Sequence, residues 1–212
     1  MKAYLLTIIA IIFLPFGSVS GQNKTKVCNT NHNSPPRGAY HWPPDTAVKV
    51  YLVRNMFSPE QRATLLKAMA GWTDGARRMG AGVRFEYAGE SAGVVSCQNC
   101  LTVTRREIHK YDRKHYAFFN PLKRNEAGLL VAAWIDFDFA TKDPQALRGF
   151  MVHELGHGLG LWDCTGCQKR KTIMNAFPGI NKDNGLTEPS PCDLEVVRLI
   201  YWLERTGDQG GK

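Results

Sequence analysis

His153-Glu154-Leu155-Gly156-His157-Gly158-Leu159-Gly160-Leu161-Trp162-Asp163 is the stretch from which the rest of the chain is read. Four residues apart on a helix, His153 and His157 project from one side as a pair of imidazole donors. Glu154, beside the first, is placed to handle the protons of a metal-activated water. Gly160 allows a sharp turn out of the helix, and such a turn brings Asp163 back towards the metal. Two neutral imidazoles and one carboxylate, with a position left open for water, suit one Zn2+ ion. Glu154 would take a proton from the attacking water and pass it to the leaving group, as general base and then general acid. The same spacing also arises by chance, as two unrelated histidines on a surface or core helix.

The flanks of the motif weigh against chance. Asp143-Pro144 starts the helix with a capping residue and a first-turn proline. At about 100° per residue, Leu147, Met151, Leu155 and Leu159 fall on one flank and the two histidines on another. Core and chemistry therefore occupy separate faces. Beyond Asp163 lie a basic, cysteine-containing loop, the segment Thr172-Ile173-Met174-Asn175-Ala176, and a Gly/Pro/Asn-rich stretch from Pro178 to Pro191. Ser190-Pro191-Cys192-Asp193 opens a final helix with a cap, a proline and an acidic third position. Leu194, Val197, Ile200 and Tyr201 form its apolar stripe.

Upstream, Ala47 to Val53 alternates as a strand, with Val48, Val50 and Leu52 on one side. Ser58-Pro59-Glu60-Gln61 caps a long helix whose buried stripe is Leu65, Met69, Trp72 and Ala76. Val83, Phe85 and Tyr87 alternate in a second strand, and Leu101 to Ile108 forms a third. His115 to Asn120 reads as a short strand stopped by Pro121, and Val131 to Phe139 as the strand that feeds the motif helix. This order predicts an α/β (α+β) fold, with a twisted mixed sheet packed on helices.

Residues 1–20 read as a signal peptide: Lys2, then an apolar run from Ala3 to Phe16, then small residues before a cleavage point near Ser20. The alternative, a membrane anchor, needs roughly 20 apolar residues, and this run is shorter. The chain is expected to be secreted, extracellular or periplasmic, with no membrane span after cleavage. Residues 21–45 are an irregular lead-in containing the sequon Asn23-Lys24-Thr25, 46–206 a single domain, and 207–212 a flexible tail. The formal charge of +8 falls to +7 without Lys2. No stretch interleaves basic and aromatic residues as a nucleic-acid site would, so the charge reads as a solvated basic face. In an exported chain the six cysteines read first as three disulfides with fifteen possible pairings, and otherwise as ligands of a second, structural metal. His32, His41, His109 and His115 show no ligand spacing and read as surface or packing residues.

The pattern His153-Glu154-x-x-His157-x-x-Gly160-x-x-Asp163, followed by Met174, resembles the metzincin zinc endopeptidases. The superfamily ends this pattern in a third histidine, whereas Asp163 here is similar to the snapalysin group. Tyr116 to Pro121, Trp134 to Phe137 and the Asp193-to-Tyr201 helix are similar to matrixin-like catalytic domains. The resemblance spans residues 45 to 205. It implies two long helices on the sheet, a C-terminal subdomain with a final helix, and Met174 as the Met-turn methionine, lying under the metal without binding it. It also implies zinc held by His153, His157 and Asp163, with Glu154 as the catalytic group. The expected partner is a protein or peptide substrate of a monomeric enzyme, received as an added antiparallel strand on His115 to Asn120. The loop from Asn175 to about Leu186 would shape the pocket after the cleaved bond. Structural calcium is not indicated. Cys164 competes with Asp163 as third ligand, and Cys28 could pair with Cys192. Two other functions stay open: a non-catalytic binding module on this fold, and a mononuclear iron oxygenase using two histidines and a carboxylate.

Overall fold

The structure, a computed structural model, describes residues 40–108, 110, 116–164, 167, 171–175 and 186–206. The expected signal peptide, most of the lead-in, the tail, Cys28, His32, His109, His115 and residues 176–185 lie outside them. Among the described residues, five strands and three helices follow in chain order: β1 (Ala47–Val53), α1 (Pro59–Arg78), β2 (Arg84–Ser91), β3 (Cys100–Arg106), β4 (Ala117–Arg124), β5 (Leu130–Asp138), α2 (Pro144–Gly158) and α3 (Pro191–Thr206). The strands form one mixed, twisted sheet in the order β2-β1-β3-β5-β4. β1 is parallel to both β2 and β3, β3 is parallel to β5, and β4 alone runs antiparallel, along β5.

Local chemistry sets the helix starts. The Ser58 hydroxyl accepts the Gln61 N–H at 3.2 Å while the Gln61 side chain accepts the Ser58 N–H at 3.1 Å, so the first turn of α1 is closed reciprocally. Asp143 accepts the Ala146 N–H at 3.0 Å and caps α2. The apolar stripes of both helices are buried as their spacing predicts: Leu65, Met69, Trp72 and Ala76 on α1, and Leu147, Met151 and Leu155 on α2, with Leu159 just beyond its end. They form one core with Val50, Leu52, Leu101, Val103, Ile135 and Phe137 of the sheet. The two helices are also joined by polarity: the Trp72 indole N–H donates to the Val152 carbonyl at 2.6 Å.

Three strand ends differ from the sequence reading. β4 does not stop at Pro121 but continues to Arg124. Pro121 pairs with Ala133, and the register then shifts so that Leu122 is looped out. β4 is the last strand of the sheet, and at an edge the missing N–H of proline leaves no neighbouring strand without a partner. β3 ends at Arg106 rather than Ile108, because the Ile108 N–H turns to the Asp138 carboxylate at 2.6 Å. The same carboxylate accepts the Ala140 N–H at 2.6 Å, which ends β5 one residue before Phe139.

Two disulfides join near neighbours in the chain, Cys97–Cys100 and Cys164–Cys167, each with Cα atoms 5.4 Å apart. Cys192 is also disulfide-bonded. Among the described residues no helix is long and apolar enough to cross a membrane.

Candidate metal centre

α2 carries His153 and His157 on its last two turns. The chain leaves the helix through Gly160, whose φ of +89° lies in the region open to glycine. Leu161 then returns to the helix, its N–H donating to the Gly156 carbonyl at 3.0 Å. This fold-back brings Asp163 over the histidines. Its Oδ1 is 3.1 Å from His153 Nε2 and 3.7 Å from His157 Nε2. Among the described residues, these three present ligand atoms within 4.8 Å of one another.

The donor set fits zinc. Ligands about 2.0–2.1 Å from a tetrahedral ion lie roughly 3.3 Å apart, between the two observed spacings. The imidazole planes stand at 87° with centroids 4.9 Å apart, so the rings converge edge to face and do not stack. Each Nδ1 is 2.9 Å from a backbone carbonyl, Ile173 for His153 and Leu161 for His157. A carbonyl only accepts, so each Nδ1 carries the hydrogen. In the neutral ring Nε2 then holds the lone pair, aimed at the shared point.

The pair titrates unevenly. For His153, burial favours the neutral ring. The hydrogen-bonded Asp163 carboxylate, the nearby Glu154 charge and the Ile173 carbonyl outweigh it and raise the imidazole to about 9. For His157, burial and the positive charge of His153 together outweigh Asp163, and the imidazole falls to about 4. Without metal, the two rings therefore share a single proton, held mainly on His153 against Asp163. Glu154 is 5% exposed.

Several further groups brace the site. Asp193 is fully buried and accepts hydrogen bonds from Ile173 N–H at 3.0 Å, from Ser190 N–H at 2.8 Å and from the Ser190 hydroxyl at 2.7 Å. The Thr172 hydroxyl donates to its other oxygen and accepts the Met174 N–H at 3.0 Å. The only sequence signal was the Ser190-to-Asp193 cap. Met174 is buried, and its carbonyl accepts the Cys164 N–H at 2.6 Å. Its sulfur packs so closely on Gly156 that a Cβ there would lie 2.5 Å from it. Met174 thus sits against the helix turn between the two histidines.

On the other flank, Trp42 N–H donates to the Gly158 carbonyl at 3.1 Å, and the rings of Trp42 and Phe119 close over Gly158. Tyr40 stacks on Phe119 with centroids 6.1 Å apart. Burial raises its phenol; Arg124 opposes this, while the charges of Glu154 and Asp163 add to it. Phe119 places the edge strand β4 beside the histidine helix. His41, expected as a packing residue, lies edge-on to Tyr201 at 5.1 Å and pairs with Glu204. Cys164, the competing third ligand, is in its disulfide and 1% exposed.

No protein-family model and no curated protein matches the chain. Among solved structures, the chain is similar to archaemetzincin from Methanopyrus kandleri, with 12% identity and a TM-score of 0.46, over 77% of this chain and 97% of that one. Myroilysin aligns at 17% identity and a TM-score of 0.37, over 61% of this chain and 49% of its own. Metalloproteinase-II from Bacteroides fragilis aligns at 12% identity and a TM-score of 0.46, over 79% of this chain and 56% of its own. The chain therefore spans about half the length of the latter two.

Proposed function

We propose that the chain is a secreted, zinc-dependent endopeptidase that hydrolyses peptide bonds of protein substrates as a monomer, with snapalysin-like ligands on a matrixin-like frame. The observation that carries this reading is the convergence of His153, His157 and Asp163 beside the buried carboxylate of Glu154. His153 Nε2, His157 Nε2 and an Asp163 oxygen would hold the ion. Bound there, zinc supplies Lewis acidity to the scissile carbonyl and to water.

The remaining chemistry belongs to the chain. Glu154 receives the proton that the attacking water gives up and delivers it to the departing amine nitrogen. Its burial suits this exchange, because proton transfer at a shielded carboxylate avoids competition from bulk water. The Ile173 and Leu161 carbonyls hold the two rings in one tautomer through the cycle. Among the described residues β4 pairs with β5 alone, and its outer edge would take an extended substrate, whose backbone would add as an antiparallel strand. Disulfides joining Cys97–Cys100 and Cys164–Cys167 fit an oxidising compartment and so support export.

The test is metal analysis of the purified chain combined with digestion of an unfolded protein, for wild type and Glu154→Gln. One zinc per chain in both, with cleavage by wild type and a loss of about 10²-fold or more in the variant, supports the reading. Zinc without cleavage by either form replaces it with a binding module on the same fold. Bound iron with oxygen consumption replaces it with an oxygenase.

A further inference from the structure

We propose that the Cys164–Cys167 disulfide positions the third ligand, Asp163, and keeps the competing sulfur donor beside it out of the metal site. This rests on the zinc reading above.

Asp163 lies outside every helix and strand, and its side chain is about half exposed, so regular structure does not place it. Ties at either end support its approach to the histidines. Upstream, Leu161 is fixed through its N–H to Gly156 and through its carbonyl to His157. Downstream, the Cys164 N–H donates to the Met174 carbonyl at 2.6 Å, the disulfide joins Cys164 to Cys167, and the buried Asn175 amide donates to the Cys167 carbonyl at 3.0 Å. The disulfide closes a short ring whose two ends are anchored on consecutive residues, Met174 and Asn175. Opening it removes the covalent tie between Cys164, next to Asp163, and the Cys167 that Asn175 holds.

The bridge also settles a competition between donors. Sulfur binds zinc and other borderline metals at least as well as a carboxylate, and Cys164 adjoins Asp163. As a disulfide, the Cys164 sulfur does not compete for the ion. A dithiol that reduces the bridge gives up two electrons and two protons, closes to its own disulfide, and leaves thiols on Cys164 and Cys167. The reduced chain then holds a soft donor one residue from the carboxylate it would displace.

Cobalt(II) reports both effects, because cobalt bound to sulfur has a near-ultraviolet charge-transfer band that a nitrogen and oxygen site lacks. The full secreted chain is compared with Cys164→Ser/Cys167→Ser and with Cys97→Ser/Cys100→Ser, which removes the other short bridge. Cobalt affinity is read by chelator competition, and folding by near-ultraviolet circular dichroism before metal is added. The expected result is at least about tenfold weaker cobalt binding in Cys164→Ser/Cys167→Ser and unchanged binding in Cys97→Ser/Cys100→Ser. After reduction with a dithiol and its removal without oxygen, the Cys97→Ser/Cys100→Ser chain should gain the charge-transfer band. Cys164→Ser/Cys167→Ser treated in the same way should not. If the site double variant fails to fold, the reduced Cys97→Ser/Cys100→Ser chain decides. Unchanged cobalt affinity in a folded Cys164→Ser/Cys167→Ser chain, or no charge-transfer band in the reduced Cys97→Ser/Cys100→Ser chain, overturns the proposal, as does a second cobalt ion taken up by the reduced chain with the first undisturbed. Failure of the oxidised wild type to bind cobalt would instead overturn the zinc reading itself.

Discussion

Asp193 holds Ile173 from the first turn of α3: its carboxylate accepts the Ile173 N–H at 3.0 Å, and the carbonyl of Ile173 lies 2.9 Å from His153 Nδ1. One residue, through its two flanking peptide units, thus links a buried charge on the last helix to His153 on the second. Through Thr172, the same carboxylate also fixes the backbone of Met174. Asp193→Ala would strand the Ile173 N–H and the Thr172 and Ser190 hydroxyls in a buried place. The expected destabilisation is about 3 kcal/mol, read by urea unfolding. Asp193→Asn keeps the shape and one acceptor. It should leave the fold largely intact but weaken zinc by about ten- to hundredfold, read by chelator competition. Wild-type zinc affinity in a folded Asp193→Asn chain would limit Asp193 to stability.

Metal binding should be coupled to one proton. With His153 raised to about 9 and His157 lowered to about 4, the metal-free site carries a single proton at neutral pH, which zinc must displace. Zinc affinity is expected to rise about tenfold per pH unit through neutrality and to flatten above about 9. Calorimetry in buffers of different ionisation enthalpy should find close to one proton released per zinc at pH 7.

The same pair gives the metal-free protein a stability optimum, with unperturbed histidine near 6.5 as the unfolded reference. His153 is raised, so its contribution is complete below 6.5 and is lost as pH climbs through about 9. His157 is lowered, so its contribution is present above 6.5 and is lost as pH falls towards 4. Urea midpoints of the metal-free chain should peak near pH 6.5, and replacing His153 with Gln should remove the alkaline limb. A flat alkaline limb in wild type would argue against the Asp163–His153 hydrogen bond.

How much of this was legible in the sequence follows from the range of each interaction. The histidine pair, Gly160 and both helix caps are encoded within a few residues, and Asp163 needs only the turn at Gly160. β4 running past Pro121 was not legible, because what permits it is the edge position, a property of the whole sheet. Asp193 could be read as a helix cap, but its hold on Ile173 spans 20 residues and has no local signature. Tyr40 and Trp42 belong to a segment that reads as irregular, and only the folded chain sets their rings on Phe119 and Gly158.

Gly156 tests the contact between the histidine helix and Met174. A Cβ there would lie 2.5 Å from the Met174 sulfur, 3.3 Å from Trp72 and 3.4 Å from Leu161. Alanine gains about 1 kcal/mol of helix propensity over glycine, but overpacking costs about 1–3 kcal/mol. Gly156→Ala is therefore expected to be net destabilising by about 1 kcal/mol. Met174→Ala in the same chain should relieve the clash, and a double-mutant cycle on urea unfolding measures the coupling. Simple additivity of the two changes would mean that Met174 does not press on the helix.

Asp163 is where this chain departs from the three-histidine pattern it resembles, and its charge gives the departure a consequence. Two neutral histidines and a carboxylate leave a divalent ion with a net charge of +1, whereas three histidines leave +2. Asp163→Ala removes the proposed third ligand, whose oxygen sits 3.1 and 3.7 Å from the two imidazole nitrogens, so zinc affinity and proteolysis should both fall by at least about a hundredfold. Asp163→His restores a third donor and should recover zinc binding and part of the activity. The greater site charge favours loss of a proton from the catalytic water. The acid limb of the kcat/KM profile of Asp163→His is therefore expected to lie at lower pH than in wild type. Titrating both variants with zinc and recording kcat/KM against pH for Asp163→His and wild type separates these effects. Wild-type zinc affinity in Asp163→Ala would remove the residue from the site, and an acid limb displaced upward in Asp163→His would refute the charge argument while leaving the ligand assignment intact.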